Sequence, residues 1–192
     1  MVADSTPDPM TQSIATVTLA EFLARSDIES SPAWELIRGR AVQKPMPTLF
    51  HSRLQRNLMN YINDRAKGFE AIQELRCVVP PQSPVPDISV IAEDRFSDDY
   101  GAFEGAPDWL IEILSPGQGT LELQNNLKNK TLHCLGAETR LAWLIDGDRQ
   151  QIWVWAADGL PIVYSGTDAL PDLGMGLGLT VDRVAALARQ RS

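Results

Sequence analysis

The stretch "APDWLIEILSP", residues 106–116, decides how the chain is read. Trp109 to Leu114 is an apolar run of six residues, short and bulky enough for a buried strand. Glu112 interrupts it. A carboxylate in a core strand is costly unless a charge or a hydrogen-bonding group meets it. The run therefore predicts a strand of a central sheet and leaves one residue to be accounted for.

Working outward, the segments on either side alternate between strand and helix patterns. Upstream, "TLAEFLARS" opens with a capping box, Thr18 with Glu21 three residues later, and predicts a short helix. "WELIRGRAVQK" predicts a hairpin turning near Gly39. "TLFHSRLQRNLMNYINDRAKG" repeats Leu54, Leu58, Tyr61, Ile62 and Arg65 at helical spacing and ends at Gly68. "FEAIQELRCVVP" reads as one strand, "DISVIA" (87–92) as another, and "EDRFSDDYGAFEGAP" as a polar loop. Downstream, a helix over about 121–135 stops at Gly136. "LAWLID" and "QIWVWA" form a hairpin around "GDRQ", and "IVYSG" adds an edge strand. "TVDRVAALARQ" is a last helix capped by Thr180. This order predicts an α/β fold, a mixed central β-sheet flanked by helices.

The bulk numbers narrow the class. A chain of 192 residues fits one domain, expected over 17–192, behind a disordered N-terminal lead at 1–16 rich in Ser, Thr, Pro and Asp. No apolar run approaches the ~18 residues of a membrane span, and the N-terminus has no secretory pattern. Cys77 and Cys134 form no CxxC pair and lie in apolar surroundings, so they read as reduced core residues of a cytoplasmic protein. Only two histidines accompany them, which disfavours a Cys/His zinc site. Net charge is −8, against broad non-specific nucleic-acid binding. Yet Glu35 to Arg76 holds eight basic and four acidic residues, either ordinary solvated faces or a local phosphate-facing surface.

Asp87 opens a strand after a proline-rich approach, and Glu112 lies inside another. Two such carboxylates on neighbouring strands can converge, and they then repel unless a cation intervenes. Mg²⁺ suits such a pair, because it takes one or two carboxylates and completes its shell with water and phosphate oxygens. A lysine beside them would orient a water and stabilise developing charge. On spacing alone, Asp87 also reads as a turn former and Glu112 as half of a buried ion pair with an Arg.

The ordered set "WELIRGRAV", "FHSRL", "VPDISVIA", "APDWLIEILSP" and "LAWLIDGDRQQIWVW" resembles the bacterial Uma-type restriction-endonuclease-like family, of the PD-(D/E)xK nuclease superfamily, over about residues 15 to 185. The resemblance implies a restriction-endonuclease-like core and a Mg²⁺-dependent (or Mn²⁺-dependent) nuclease site acting on DNA. It places the metal-binding residues on Asp87 and Glu112, and an assisting acid on Glu35. It also picks out His51, for which a helix-surface or first-turn polar role is the plainer reading. Pro-Asp leads into two of the predicted strands, at Asp87 and at Asp108, and Asp108 is expected to be only the turn into the strand of Glu112. The motif's lysine would stand at position 114, which is Leu. Counting back from Trp143 the family's lysine falls on Lys130, from the following helix. Helical periodicity instead puts Lys128 inside the stripe of Leu127, Thr131, Leu132, Cys134 and Leu135, with Lys130 at its edge. About four extra residues between Ser115 and this helix leave the lysine's register open.

Trp153 and Trp155 share a strand face and read as packing residues. "LPDLGMGLGLT" lacks the preceding strand of a phosphate loop and reads as a flexible loop, so no nucleotide cofactor is expected. Two functions follow: a DNA endonuclease with Asp87, Glu112, Lys130 and Glu35 as catalytic residues, plausible as a homodimer, or a catalytically inactive binding or assembly module on the same fold.

Overall fold

The computed structural model describes residues 16–97, 101–117, 119–156 and 159–191. Nearly all of the expected lead, 1–15, lies outside them. The elements run α1 (Leu19–Leu23), β1 (Trp34–Ile37), β2 (Arg40–Gln43), α2 (Leu49–Asn63), β3 (Phe69–Gln73), β4 (Cys77–Val78), β5 (Ile88–Ala92), β6 (Phe103–Glu104), β7 (Trp109–Leu114), α3 (Leu121–Leu135), β8 (Leu141–Asp146), β9 (Gln151–Ala156), β10 (Ile162–Ser165) and α4 (Val181–Leu187).

Six strands form the central sheet in the order β10-β9-β8-β7-β5-β3. β7 and β8 are parallel, and the other neighbours are antiparallel. α3 makes the crossover that a parallel pair requires. Every residue of β7 and of β8 is buried, as the apolar run predicts for strands at the middle of a covered sheet.

Period-two alternation divides β7 between two cores. Trp109, Ile111 and Ile113 face the cluster built with Leu54, Leu58 and Ile62 of α2 and Val184 and Leu187 of α4. Leu110 and Leu114 face the other cluster, with Leu127 and Cys134 of α3. Glu112 lies between them in the alternation, so it points under α3. Each buried Leu or Ile adds about 1.5–3 kcal/mol of transfer free energy. That gain holds the polar residues described below in an otherwise apolar setting.

β1 and β2 form the expected hairpin, with Arg38 (φ 51°) and Gly39 (φ 72°) at its turn. Positive φ at both central residues is the turn whose twist matches the strands. Thr18, Thr48, Thr120 and Thr180 cap the four α-helices. Cys77 and Cys134 are buried free thiols, and burial pushes Cys77 up to about 12. No helix among the described residues is long and apolar enough to cross a membrane.

Several expectations need correction. The single strand predicted over 69–80 is two, β3 and β4, broken at Glu74, whose φ is 52°. The polar loop contains β6, paired in parallel with β4. Residues 98–100 of that loop lie outside the described ones. The glycine-bearing segment 170–180 is fastened down. Asp172 accepts from the amides of Gly174, Met175 and Leu177, and Leu170, Leu177 and Leu179 join the core. Leu132, expected on the inward stripe of α3, is 57% exposed.

Candidate active site

A cleft of about 310 Å³ opens between the β1–β2 hairpin, the start of α2, the sheet and α3. The antiparallel register of β5 and β7 builds its floor. Ile88 pairs with Ile111, so one step further along the ladder Asp87 stands against Glu112. Both are buried, at 2% and 1% exposure. Asp87 Oδ2 accepts from the Ile113 amide at 2.7 Å, which fixes the carboxylate to β7.

Lys130 enters from above. The helical repeat that buries Leu127 and Cys134 also carries Lys130 inward, and Lys130 is 1% exposed. Its Nζ lies 2.7 Å from Glu112 Oε1, an ion pair whose angle falls outside hydrogen-bonding geometry. It also donates to Glu35 Oε1 at 2.8 Å. Glu35 Oε1 accepts from the Val85 amide as well, at 2.7 Å. Lys128 points elsewhere, with its ammonium 5.6 Å from the Trp153 ring centroid. The periodicity argument thus ordered the two lysines the wrong way round: three and four residues from Leu127 and Cys134, Lys130 is the inward one.

A second ammonium faces the same floor. Lys44, just past β2, donates to Asp87 Oδ1 at 2.8 Å, to Glu74 Oε2 at 2.8 Å and Oε1 at 3.0 Å, and to the Val85 carbonyl at 2.9 Å. Gln55 donates to Glu74 Oε1 at 2.8 Å and to the Asp87 carbonyl at 2.7 Å. His51 Nε2 is 3.4 Å from Asp87 Oδ1. His51 is 8% exposed, so the helix-surface reading of it does not hold.

Lys44, Glu74 and Gln55 escaped the sequence reading. The spacing of His51 and Gln55, four apart on a helix beside Leu54 and Leu58, was the one available signal. It puts two polar groups on an apolar face. Nothing local marks Glu74, whose place follows from its positive φ.

Four carboxylates therefore meet two ammonium groups, and the titration reflects it. Burial opposes the charge on Asp87, but Lys44, His51 and Lys130 outweigh it and hold the carboxyl far below the usual range. Burial pushes Glu112 up to about 8, against the pull of Lys130 and with the push of Asp87. Burial would lower Lys130, yet Glu112, Glu35 and Asp87 raise it. A Glu112 that keeps its proton gives Lys130 little support, so the negative charges of Glu35 and Asp87 are then what keep the ammonium charged. Raised Glu112 is the direction the charge balance favours, because the acids outnumber the lysines.

The donor chemistry fits a hard divalent cation. Its oxygens are carboxylates, and Asp87 and Glu112 are neighbours on the sheet. His51, Glu74 and Asp87 each offer an atom within 4.8 Å of the others.

Residues 19–182 match the Uma2 family, described as "Putative restriction endonuclease". The chain belongs to this family. A crystal structure described as "a putative nuclease belonging to DUF820", from Anabaena variabilis, is similar to this Uma2 chain with 34% identity and a TM-score of 0.79, covering 90% of this chain and 99% of that one. A search of curated proteins found no match. The restriction-endonuclease-like core expected from the ordered segments is the fold of this family member.

Asp108 of the Uma2 chain sits at the other end of β7. Its Oδ2 accepts from the Ala92 amide and from Arg95 Nη1, both at 2.9 Å, and Arg140 Nη2 lies 3.2 Å from Oδ1. The basic segment does not form one surface. Arg76 is buried, bonded to Glu29, Ser83 and the Ile28 and Trp34 carbonyls, and Lys44 is held in the cleft. Arg38 and Arg40 remain exposed at the turn of the hairpin, where Arg38 Nη1 donates to Asn129 Oδ1 of α3 at 3.4 Å.

Proposed function

We propose that this protein is a metal-dependent endonuclease that hydrolyses phosphodiester bonds in DNA. The family and the structural likeness support a nuclease function. The observation that carries the finer reading is the meeting of Asp87, Glu112 and Lys130 on one cleft floor. Asp87 and Glu112 would hold Mg²⁺ or Mn²⁺. When bound, the ion polarises a phosphoryl oxygen and lowers the pKa of a bound water. The chain's own residues do the rest. The Ile113 amide fixes the Asp87 carboxylate. Lys130 places a buried positive charge beside Glu112, where it orients the attacking water and steadies the charge that develops on the phosphate. Glu35, anchored on the Val85 amide, fixes the Lys130 ammonium and so acts as a positioning residue. Arg38 and Arg40 offer contacts to the phosphate backbone. A homodimer would bring two such sites to a duplex.

Purified protein is expected to nick plasmid DNA with Mg²⁺ and to stop when a chelator is added. Asp87→Ala or Glu112→Ala protein that cuts equally well overturns the reading.

One observation favours a second reading, a binding or assembly module without catalysis. Both oxygens of Asp87 are already held, by Ile113 and Lys44, so the site has its own counter-charges. Calorimetry separates the two: divalent-ion binding lost in Glu112→Gln counts against the module.

A further inference from the structure

The surroundings of Lys44 are more than an ion pair needs. Four oxygens lie within 3.0 Å of its Nζ: both of Glu74, Asp87 Oδ1 and the Val85 carbonyl. An ammonium has three protons, so it cannot bond all four well. Two carboxylates and a backbone carbonyl are the ligand types a hard divalent ion takes. The cage is held from outside as well: Gln55 fixes Glu74, and Ile113 fixes the far oxygen of Asp87. His51 Nε2 adds a further donor atom beside Asp87 Oδ1. The cage opens on the cleft, and the Lys44 side chain is 10% exposed.

We infer that Glu74, Asp87 and the Val85 carbonyl form a second cation position, distinct from the one between Asp87 and Glu112, and that the Lys44 ammonium is its resident cation. The chain thereby supplies from its own sequence the charge that a second metal ion would otherwise bring. Lys44 keeps the second position closed to divalent ions while leaving Glu112 to the first, and Asp87, whose oxygens accept from Lys44 and Ile113, is shared between the two. This deepens the metal-site reading proposed above, on which its role in catalysis rests.

The test is Mn²⁺ titration of the full chain by calorimetry, with bound metal counted after dialysis. Lys44→Met is expected to bind one more Mn²⁺ per chain than the wild type. Lys44→Met/Glu74→Gln is expected to lose that extra ion, and Lys44→Arg never to gain it. An unchanged count in a folded Lys44→Met protein overturns the inference and leaves the first site standing. If the wild type binds no Mn²⁺ but Lys44→Met binds one that Glu74→Gln abolishes, the inference stands and the Asp87–Glu112 metal reading falls. If Lys44→Met does not fold, amine labelling of the wild type decides. Lys44 should stay protected from an acylating reagent at saturating Mg²⁺, as a resident cation would. Labelling that rises with Mg²⁺ shows the ammonium being driven out and overturns the inference.

Discussion

Two Pro-Asp pairs enter neighbouring strands of one sheet, and they have opposite fates. Asp87 enters β5 from inside the cleft, where its oxygens meet the Lys44 ammonium, the His51 ring and the Ile113 amide. Asp108 enters β7 at the far end, where its oxygens are taken by the Ala92 amide and two arginines. Dipeptide and strand position are the same. The difference lies in what the antiparallel pairing of β5 and β7 does. It runs the start of one strand into the middle of the other, so Asp87 meets Glu112, while Asp108 is carried to the opposite edge. Paired acids on one floor demand a cation, and a lone acid beside arginines is already satisfied.

Exchange of each aspartate is the sharpest way to break that comparison. Asp87→Asn should lower plasmid cleavage in Mg²⁺ by roughly 10²–10³-fold or more, the scale of losing one well-placed electrostatic group. Asp108→Asn should leave the cleavage rate within a few-fold and instead lower stability by about 1–3 kcal/mol, read by urea denaturation. Equal loss of cleavage in both would end the distinction.

The two lysines of α3 give the next largest contrast. Lys130→Met removes the ammonium from between Glu35 and Glu112, and stranding a buried charge costs about 3–5 kcal/mol. Lys128→Met should cost under about 1 kcal/mol, because among the described residues its ammonium meets the face of Trp153. Denaturant midpoints of the two variants check this.

Glu112 adds a pH dependence. Its folded value, about 8, lies above its ordinary 4.5, so the folded state keeps a proton that the unfolded state gives up. This contribution to stability is complete below about pH 4.5 and is lost as pH rises through about 8. Asp87 has the opposite sign: its contribution is present above 3.8 and disappears as pH falls below that. Melting curves of Glu112→Gln should therefore show a shallower decline between pH 5 and 8 than the wild type. In the same window Mn²⁺ affinity of the wild type should rise with pH by at most about tenfold per unit, since the ion must displace the Glu112 proton. The smallest effect is expected at Arg140, 51% exposed at its side chain. Arg140→Gln should shift stability by less than about 1 kcal/mol and leave cleavage alone.

Much of this was legible along the chain because local rules set it. Helix α3 runs over Leu121–Leu135 and stops at Gly136 as its period and glycine signal predict, and the apolar run of β7 placed Glu112 in the core. Lys130 lay at the limit of such rules. Its residue type gives it a solvated preference, and only the packing of Leu127 and Cys134 against the sheet turned it inward. Lys44 and Glu74 lay beyond them. Each sits just past a strand end, in a loop whose direction no neighbour in sequence dictates. His51 and Gln55 could have been found as polar groups on an apolar helix face, but their partners could not.

By itself, then, the sequence determined the helices and the long central strands, the burial of Glu112 and the candidacy of Asp87, since these follow from periodicity, capping and the cost of an acid among apolar neighbours. Only the tertiary structure decided that Asp87 and not Asp108 faces Glu112, that Lys130 and not Lys128 joins them, and that Lys44 completes the charge. Those choices depend on strand register and on contacts across tens of residues, which no local spacing encodes.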